Sequence, residues 1–104
     1  LDPTALQAKT VLEMATRGGA YVIGLEQEIG SLTPGKKADI ILLDMMQPHL
    51  QPFYNPDLLV YAACGADVKS VIIDGKLVMQ DRQILAFDVD ETMAKVRELA
   101  EPLK

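Results

Sequence analysis

Ile29-Gly30-Ser31-Leu32-Thr33-Pro34-Gly35-Lys36-Lys37-Ala38-Asp39-Ile40-Ile41-Leu42-Leu43-Asp44 is the stretch around which the chain must fold. Within it, Thr33-Pro34-Gly35-Lys36 puts Pro where φ must be about −65° and Gly where φ must be positive, which is the chemistry of a type II turn. The turn releases a strand. Ile40 to Leu43 is an unbroken apolar run, too short for a helix and bounded by turn residues, so it reads as a strand covered on both faces. The remaining segments have to supply those covers.

Upstream, Asp2-Pro3 is a helix opening, with Asp as the N-cap and Pro at the first helical position, where its missing N–H costs nothing. Ala5, Ala8, Val11, Leu12 and Ala15 then share one helical face. Leu6 and Met14 lie on a second side, more apolar surface than a small domain can cover, and imply a neighbour. Gly18-Gly19 is expected to interrupt this helix, with Gly24 stopping a short apolar turn that follows.

Downstream, Pro48, Pro52 and Pro56 forbid a regular helix and predict an extended, partly apolar loop. Asp57 is expected to cap a short helix over Leu58 to Ala63. Val68 to Ile73 and Lys76 to Gln80 flank Asp74-Gly75, a type I′ hairpin signal, because both central positions of that turn need positive φ. Asp81-Arg82 predicts another turn into an extended piece at Ile84-Leu85. Asp88 with Glu91 three residues on opens a last helix, whose Val89, Met93, Val96, Leu99 and Ala100 share a face and which Pro102 ends. The sum is an α+β fold: a small antiparallel or mixed β-sheet flanked by helices.

Composition narrows the functional classes. Its 104 residues make room for one core, and with 49% hydrophobic but 5% aromatic residues that core must be aliphatic. A formal charge of −5, with no long Lys/Arg run, argues against nucleic acid or an anionic membrane surface as partner. No apolar run reaches the roughly 18–20 residues of a membrane span. One Cys, Cys64, cannot form an internal disulfide and suits a reducing cytoplasm. Because the first residue is Leu rather than Met, the chain is expected to be trimmed or cut from something longer.

Metal catalysis needs at least three His, Cys, Asp or Glu ligands around an open position, and this chain has one His and one Cys. His49 is therefore read as a packed or hydrogen-bonded loop residue rather than a ligand or general base. Asp39 and Asp44 fall on opposite faces of the central strand, cannot converge on one substrate, and are assigned capping, solvent or backbone-bonding roles. Cys64 would be a nucleophile only beside a base and is read as a structural thiol. Gly18-Gly19 and Pro34-Gly35-Lys36-Lys37 lack the context of a phosphate loop, which must open a helix. No catalytic, cofactor-binding or metal residue is assigned.

The central stretch, with Leu12-Glu13-Met14-Ala15-Thr16-Arg17-Gly18-Gly19-Ala20, Pro48-His49-Leu50-Gln51-Pro52, Leu59-Val60-Tyr61-Ala62-Ala63 and Val71-Ile72-Ile73-Asp74-Gly75-Lys76, resembles the C-terminal part of the metal-dependent amidohydrolases. The order and spacing of the blocks are similar to those of the deaminase and chlorohydrolase branch acting on nitrogen heterocycles, including the 5-methylthioadenosine/S-adenosylhomocysteine deaminases. The loop before Leu59 is one residue shorter than that pattern. The resemblance implies a barrel-closing helical segment over residues 1–25 and, over 26–104, the C-terminal contribution to a composite β-sandwich domain with a terminal helix. It implies a parent enzyme that hydrolyses non-peptide C–N bonds with water activated by one divalent metal, Zn or Fe, bound by a His-x-His pair, two further His and an Asp. None of those ligands has a matching position here, so the chain alone is expected to be inactive, a scaffold completed by the parent's barrel and N-terminal strands. Uncovered edges are expected to make the isolated chain a homo-oligomer. The alternative is a free-standing, non-catalytic interaction or oligomerisation module.

Overall fold

A computed structural model describes residues 6–103. Four strands, β1 (Ile40–Leu43), β2 (Val68–Ile73), β3 (Lys76–Gln80) and β4 (Gln83–Ile84), form one sheet in the order β1-β2-β3-β4. Every pairing is antiparallel, which settles the choice between an antiparallel and a mixed sheet. The hairpin forms as its turn residues dictate: Asp74 has φ 51° and Gly75 φ 76°, and β2 pairs with β3 from Ile73↔Lys76 outward. Asp81 and Arg82 repeat the arrangement at φ 47° and 69° and lead into β4, which starts one residue earlier than the sequence suggests.

The type II turn is present. Gly35 has φ 94° and the Lys36 N–H donates to the Thr33 carbonyl at 3.1 Å. Lys36 Nζ then donates to the Glu26 and Ile29 carbonyls at 2.8 and 3.4 Å, lashing the turn to the segment before it. Coverage of β1 on both faces is not found. Ile41 and Leu42, which point to opposite faces, are 57% and 50% exposed, and among the described residues β1 pairs only with β2, so its other edge is open as well.

The helical segment opens with α1 (Ala8–Glu13), and the expected cap at Asp2-Pro3, with Ala5, lies outside the described residues. Gly18-Gly19 does not interrupt it. The helix widens into a π-helical turn over Met14–Gly18 and continues as α2 (Gly19–Val22), an accommodation that inserts a residue without breaking the ladder. Gly24, at φ 77°, ends it as anticipated. Helix α1 packs on α3 (Asp57–Ala62) with Ala8 buried, while Ala15 of the expected stripe is exposed and Leu6 and Met14 stay more than half exposed. Asp57 is the first residue of α3 rather than its cap; its N–H is taken by Asn55 Oδ1 at 2.9 Å.

The last helix, α4 (Val89–Ala100), is capped as read, with Asp88 Oδ1 accepting the Glu91 N–H at 3.0 Å. It runs into a 3-10 turn, Glu101–Leu103, its main packing partner. Every residue from 80 to 103 is exposed. The Cα radius of gyration is 17.6 Å, against about 13 Å for a compact domain of this length. Among the described residues the buried apolar ones are Ala8, Ala20, Leu50 and Met79.

Candidate functional site

The carboxylates flanking β1 behave as their spacing requires. Asp39 Oδ1 accepts the Asp74 N–H at 2.7 Å, tying the entry of β1 to the hairpin turn. Asp44 Oδ1 accepts the Met46 N–H at 3.0 Å and its Oδ2 accepts from Gln47 Nε2 at 2.8 Å, bonds that hold its carboxyl below the usual carboxylate range. Neither faces a partner with which it could do acid–base work.

His49 is different. Pro48–Leu50 forms a 3-10 turn pinned by Leu50, whose exposure is 0%, and the turn presents His49 to the start of the second strand. There a second 3-10 turn, Gly65–Asp67, follows Cys64. His49 Nε2–H donates to both oxygens of Asp67 at 2.8 Å. The Cys64 N–H donates to Asp67 Oδ2 at 2.8 Å, and Cys64 Sγ accepts the Asp67 N–H in return. Asp67 is 3% exposed, and its carboxyl is held below the usual carboxylate range first by the His49 hydrogen bond and then by the Cys64 N–H. An ionised carboxylate can only accept, so Nε2 carries the proton and, in the neutral ring, the lone pair sits on Nδ1. The Asp67 carbonyl also accepts the Asp44 N–H at 2.8 Å, joining this cluster to the end of β1.

A ring nitrogen of His49, Cys64 Sγ and an Asp67 oxygen all lie within 4.8 Å of one another, a cluster of three metal-competent donors. His49 is hydrogen-bonded from its loop, and its partner Asp67 was not singled out by the sequence. The residues are 18 apart across a Pro-rich loop. The only local signal is a Cys-x-x-Asp spacing before a strand. Among the described residues no hydrogen bond joins Cys64 Sγ to the imidazole, so the pair is not set up as a nucleophile and its base.

An open apolar groove of about 580 Å³ runs between the helical segment and β1, lined among others by Leu12, Ala15, Ile23, Leu32 and Ile41. Gly30 lies on its wall, where the loop meets the helix. It has φ 98°, and a Cβ there would fall 2.9 Å from the Ala20 Cβ and 3.2 Å from the Thr16 carbonyl oxygen. No helix among the described residues is long and apolar enough to cross a membrane.

Residues 2–78 match a model of the Amidohydrolase family. The chain is 51% identical over 105 aligned positions to a 5-methylthioadenosine/S-adenosylhomocysteine deaminase of Syntrophobacter fumaroxidans, covering 100% of the chain and 24% of that protein. To a 5'-deoxyadenosine deaminase of Methanosarcina acetivorans it is 47% identical, over 98% of the chain and 23% of the relative. The chain thus spans about a quarter of the length of the curated relatives it matches. Among solved structures, an adenosine deaminase from Xanthomonas campestris with bound zinc superposes with a TM-score of 0.89 and 34% identity, over 97% of this chain and 23% of that one.

Proposed function

The chain belongs to the amidohydrolase family, and from that premise we propose that it is the C-terminal scaffold of a deaminase whose catalytic barrel lies elsewhere in the polypeptide. The reaction proposed for the whole protein is hydrolysis of a non-peptide C–N bond in a nitrogen heterocycle, with an adenosine-like substrate and a metal-activated water. The observation that carries this reading is the 51% identity running through the whole chain onto about a quarter of a deaminase.

The residues present do not fit the barrel's metal. A His-x-His pair and two further His cannot come from a chain whose one His, His49, is already bonded to Asp67, and no catalytic step is assigned to it. The proposed role is structural. Residues 1–25 are assigned to the helical segment that closes the barrel and 26–104 to the composite β-domain with its terminal helix. The open edge of β1, the groove beside it and the apolar face of α4 are the surfaces that the barrel and the N-terminal strands would cover, which accounts for the extended shape. Released from that cover, the same surfaces would drive self-association. A reducing cytoplasmic compartment suits the free thiol of Cys64.

The test is to read the coding sequence upstream of Leu1, then express the whole polypeptide with Zn²⁺ and measure ammonia release from 5-methylthioadenosine, S-adenosylhomocysteine and 5'-deoxyadenosine. A frame containing His-x-His and two later His, with ammonia released by the whole protein and none by the 104-residue chain, is expected. A frame lacking those ligands overturns the reading.

A further inference from the structure

We propose that His49, Cys64 and Asp67 form a second site, separate from any barrel metal, that takes a thiophilic divalent cation of the Zn²⁺ class. The proposal rests on the geometry of these three residues and stands whether or not the parent is a deaminase. The donor set is one nitrogen, one sulfur and one oxygen, the mixture that suits Zn²⁺ and not Mg²⁺ or Ca²⁺. A tetrahedral ion with bonds of about 2.0–2.3 Å sets its ligands roughly 3.3–3.7 Å apart. The three donor atoms already lie within 4.8 Å of one another. They therefore close on an ion by relative movements of about 1–1.5 Å, small for two side chains at the surface.

The local backbone supports this assignment. Cys64 and Asp67 are fixed to each other by two reciprocal hydrogen bonds across a 3-10 turn, so sulfur and carboxylate cannot drift apart. His49 comes from a turn anchored by fully buried Leu50, and its Nε2 sits 2.8 Å from the carboxylate. Its side chain is 44% exposed, and Cys64 is exposed, so an ion can enter from solvent and keep water as its fourth ligand. The buried carboxylate supplies one negative charge and the thiolate a second, neutralising a dication. On binding, the Cys64 thiol proton passes to solvent and the sulfur–metal bond replaces the S–H bond, while the His49 proton moves from Nε2 to Nδ1 through solvent and the Nε2–metal bond replaces its hydrogen bond to Asp67, with no change of oxidation state.

The experiment uses the intact polypeptide that carries this chain, stripped of metal and titrated with Co²⁺. The barrel ligands implied by the family are nitrogen and oxygen donors, so a thiolate-to-cobalt charge-transfer band in the near ultraviolet reports this site alone. The band is expected to reach full intensity with one equivalent of Co²⁺ beyond that taken by the barrel, and to be lost in Cys64→Ser, which keeps an acceptor for the Asp67 N–H. His49→Gln is expected to weaken the affinity by on the order of 10- to 100-fold. A variant-free readout accompanies it: saturating Zn²⁺ should slow alkylation of Cys64 by iodoacetamide about tenfold or more, mapped to its peptide by mass spectrometry. Absence of the band in the unaltered protein, or Cys64 alkylation that Zn²⁺ leaves unchanged, overturns the proposal.

Discussion

Leu50 and Leu99 are the same residue type in regions that read very differently from sequence, and one is 0% and the other 71% exposed. Leu50 sits in an irregular, Pro-rich loop, a setting with no periodicity to announce burial. Leu99 lies on the apolar stripe of α4, which has the capping, length and spacing of a core-facing helix. The difference shows that a hydrophobic pattern records which face is meant to be covered, and is silent on whether the cover belongs to the same stretch of chain. In the Pro-rich loop the cover comes from within the chain: the 3-10 turn that carries Leu50 packs against α3. For α4, no substantial cover exists among the described residues.

The comparison breaks first at Leu50. Leu50→Ala removes the one fully buried large side chain among the described residues and is expected to destabilise the protein by about 2–5 kcal/mol. A chemical denaturation midpoint unchanged within error would show that the loop contributes no packing. Gly30 ranks next. Gly30→Ala combines a φ of 98° with a Cβ placed 2.9 Å from that of Ala20, so left-handed strain of about 1 kcal/mol adds to an overpacking cost of about 1–3 kcal/mol. Gly75→Ala is its internal control: φ is 76° but nothing lies within 4 Å, leaving the strain of about 1 kcal/mol alone. Equal losses for the two would mean that the helical segment does not approach Gly30 as closely as described.

These two glycines also mark what sequence can and cannot supply. The type II turn at Gly35, the hairpin at Asp74-Gly75, the strand boundaries of β2 and β3 and the Asp88 cap were legible, because each is dictated by residues adjacent in the chain. The close approach at Gly30 was not, since it depends on Ala20 and Thr16 across a loop. Asp67 was hidden for the same reason: its meaning comes from His49, a contact made by tertiary folding. Gly18-Gly19 misled because two glycines lower helix propensity without forbidding helix, and the chain absorbed them in a π-turn. Coverage of β1 was overestimated because an apolar run records what a strand could bury and not what lies over it, and among the described residues Ile41 and Leu42 stay at least half exposed.

The pH dependence sharpens the loop side of the comparison. Asp67 has its carboxyl lowered in the folded state, so the stabilisation is complete above the unfolded-state value of about 3.9 and is lost as pH falls through the folded value. Asp67→Asn is expected to melt at a lower temperature than the unaltered protein near neutral pH, with the gap narrowing as the solution is taken below about pH 4. A gap independent of pH would assign the loss to shape rather than charge.

The smallest effect is the most informative about α4. Leu99→Gln alters a side chain that is 71% exposed, on a helix whose main packing partner is the short 3-10 turn that follows it, so in the 104-residue chain by itself it should shift stability by less than about 0.5 kcal/mol. In the intact polypeptide, where the proposed barrel covers this face, the same substitution buries an amide in an apolar contact and should cost about 1–3 kcal/mol. The ratio of the two losses, measured in matched denaturation series, reports how much of the helix's pattern is addressed to a partner. If both are small, the apolar face of α4 is open in the whole protein as well, and the scaffold is held to the barrel by β1 and the groove alone.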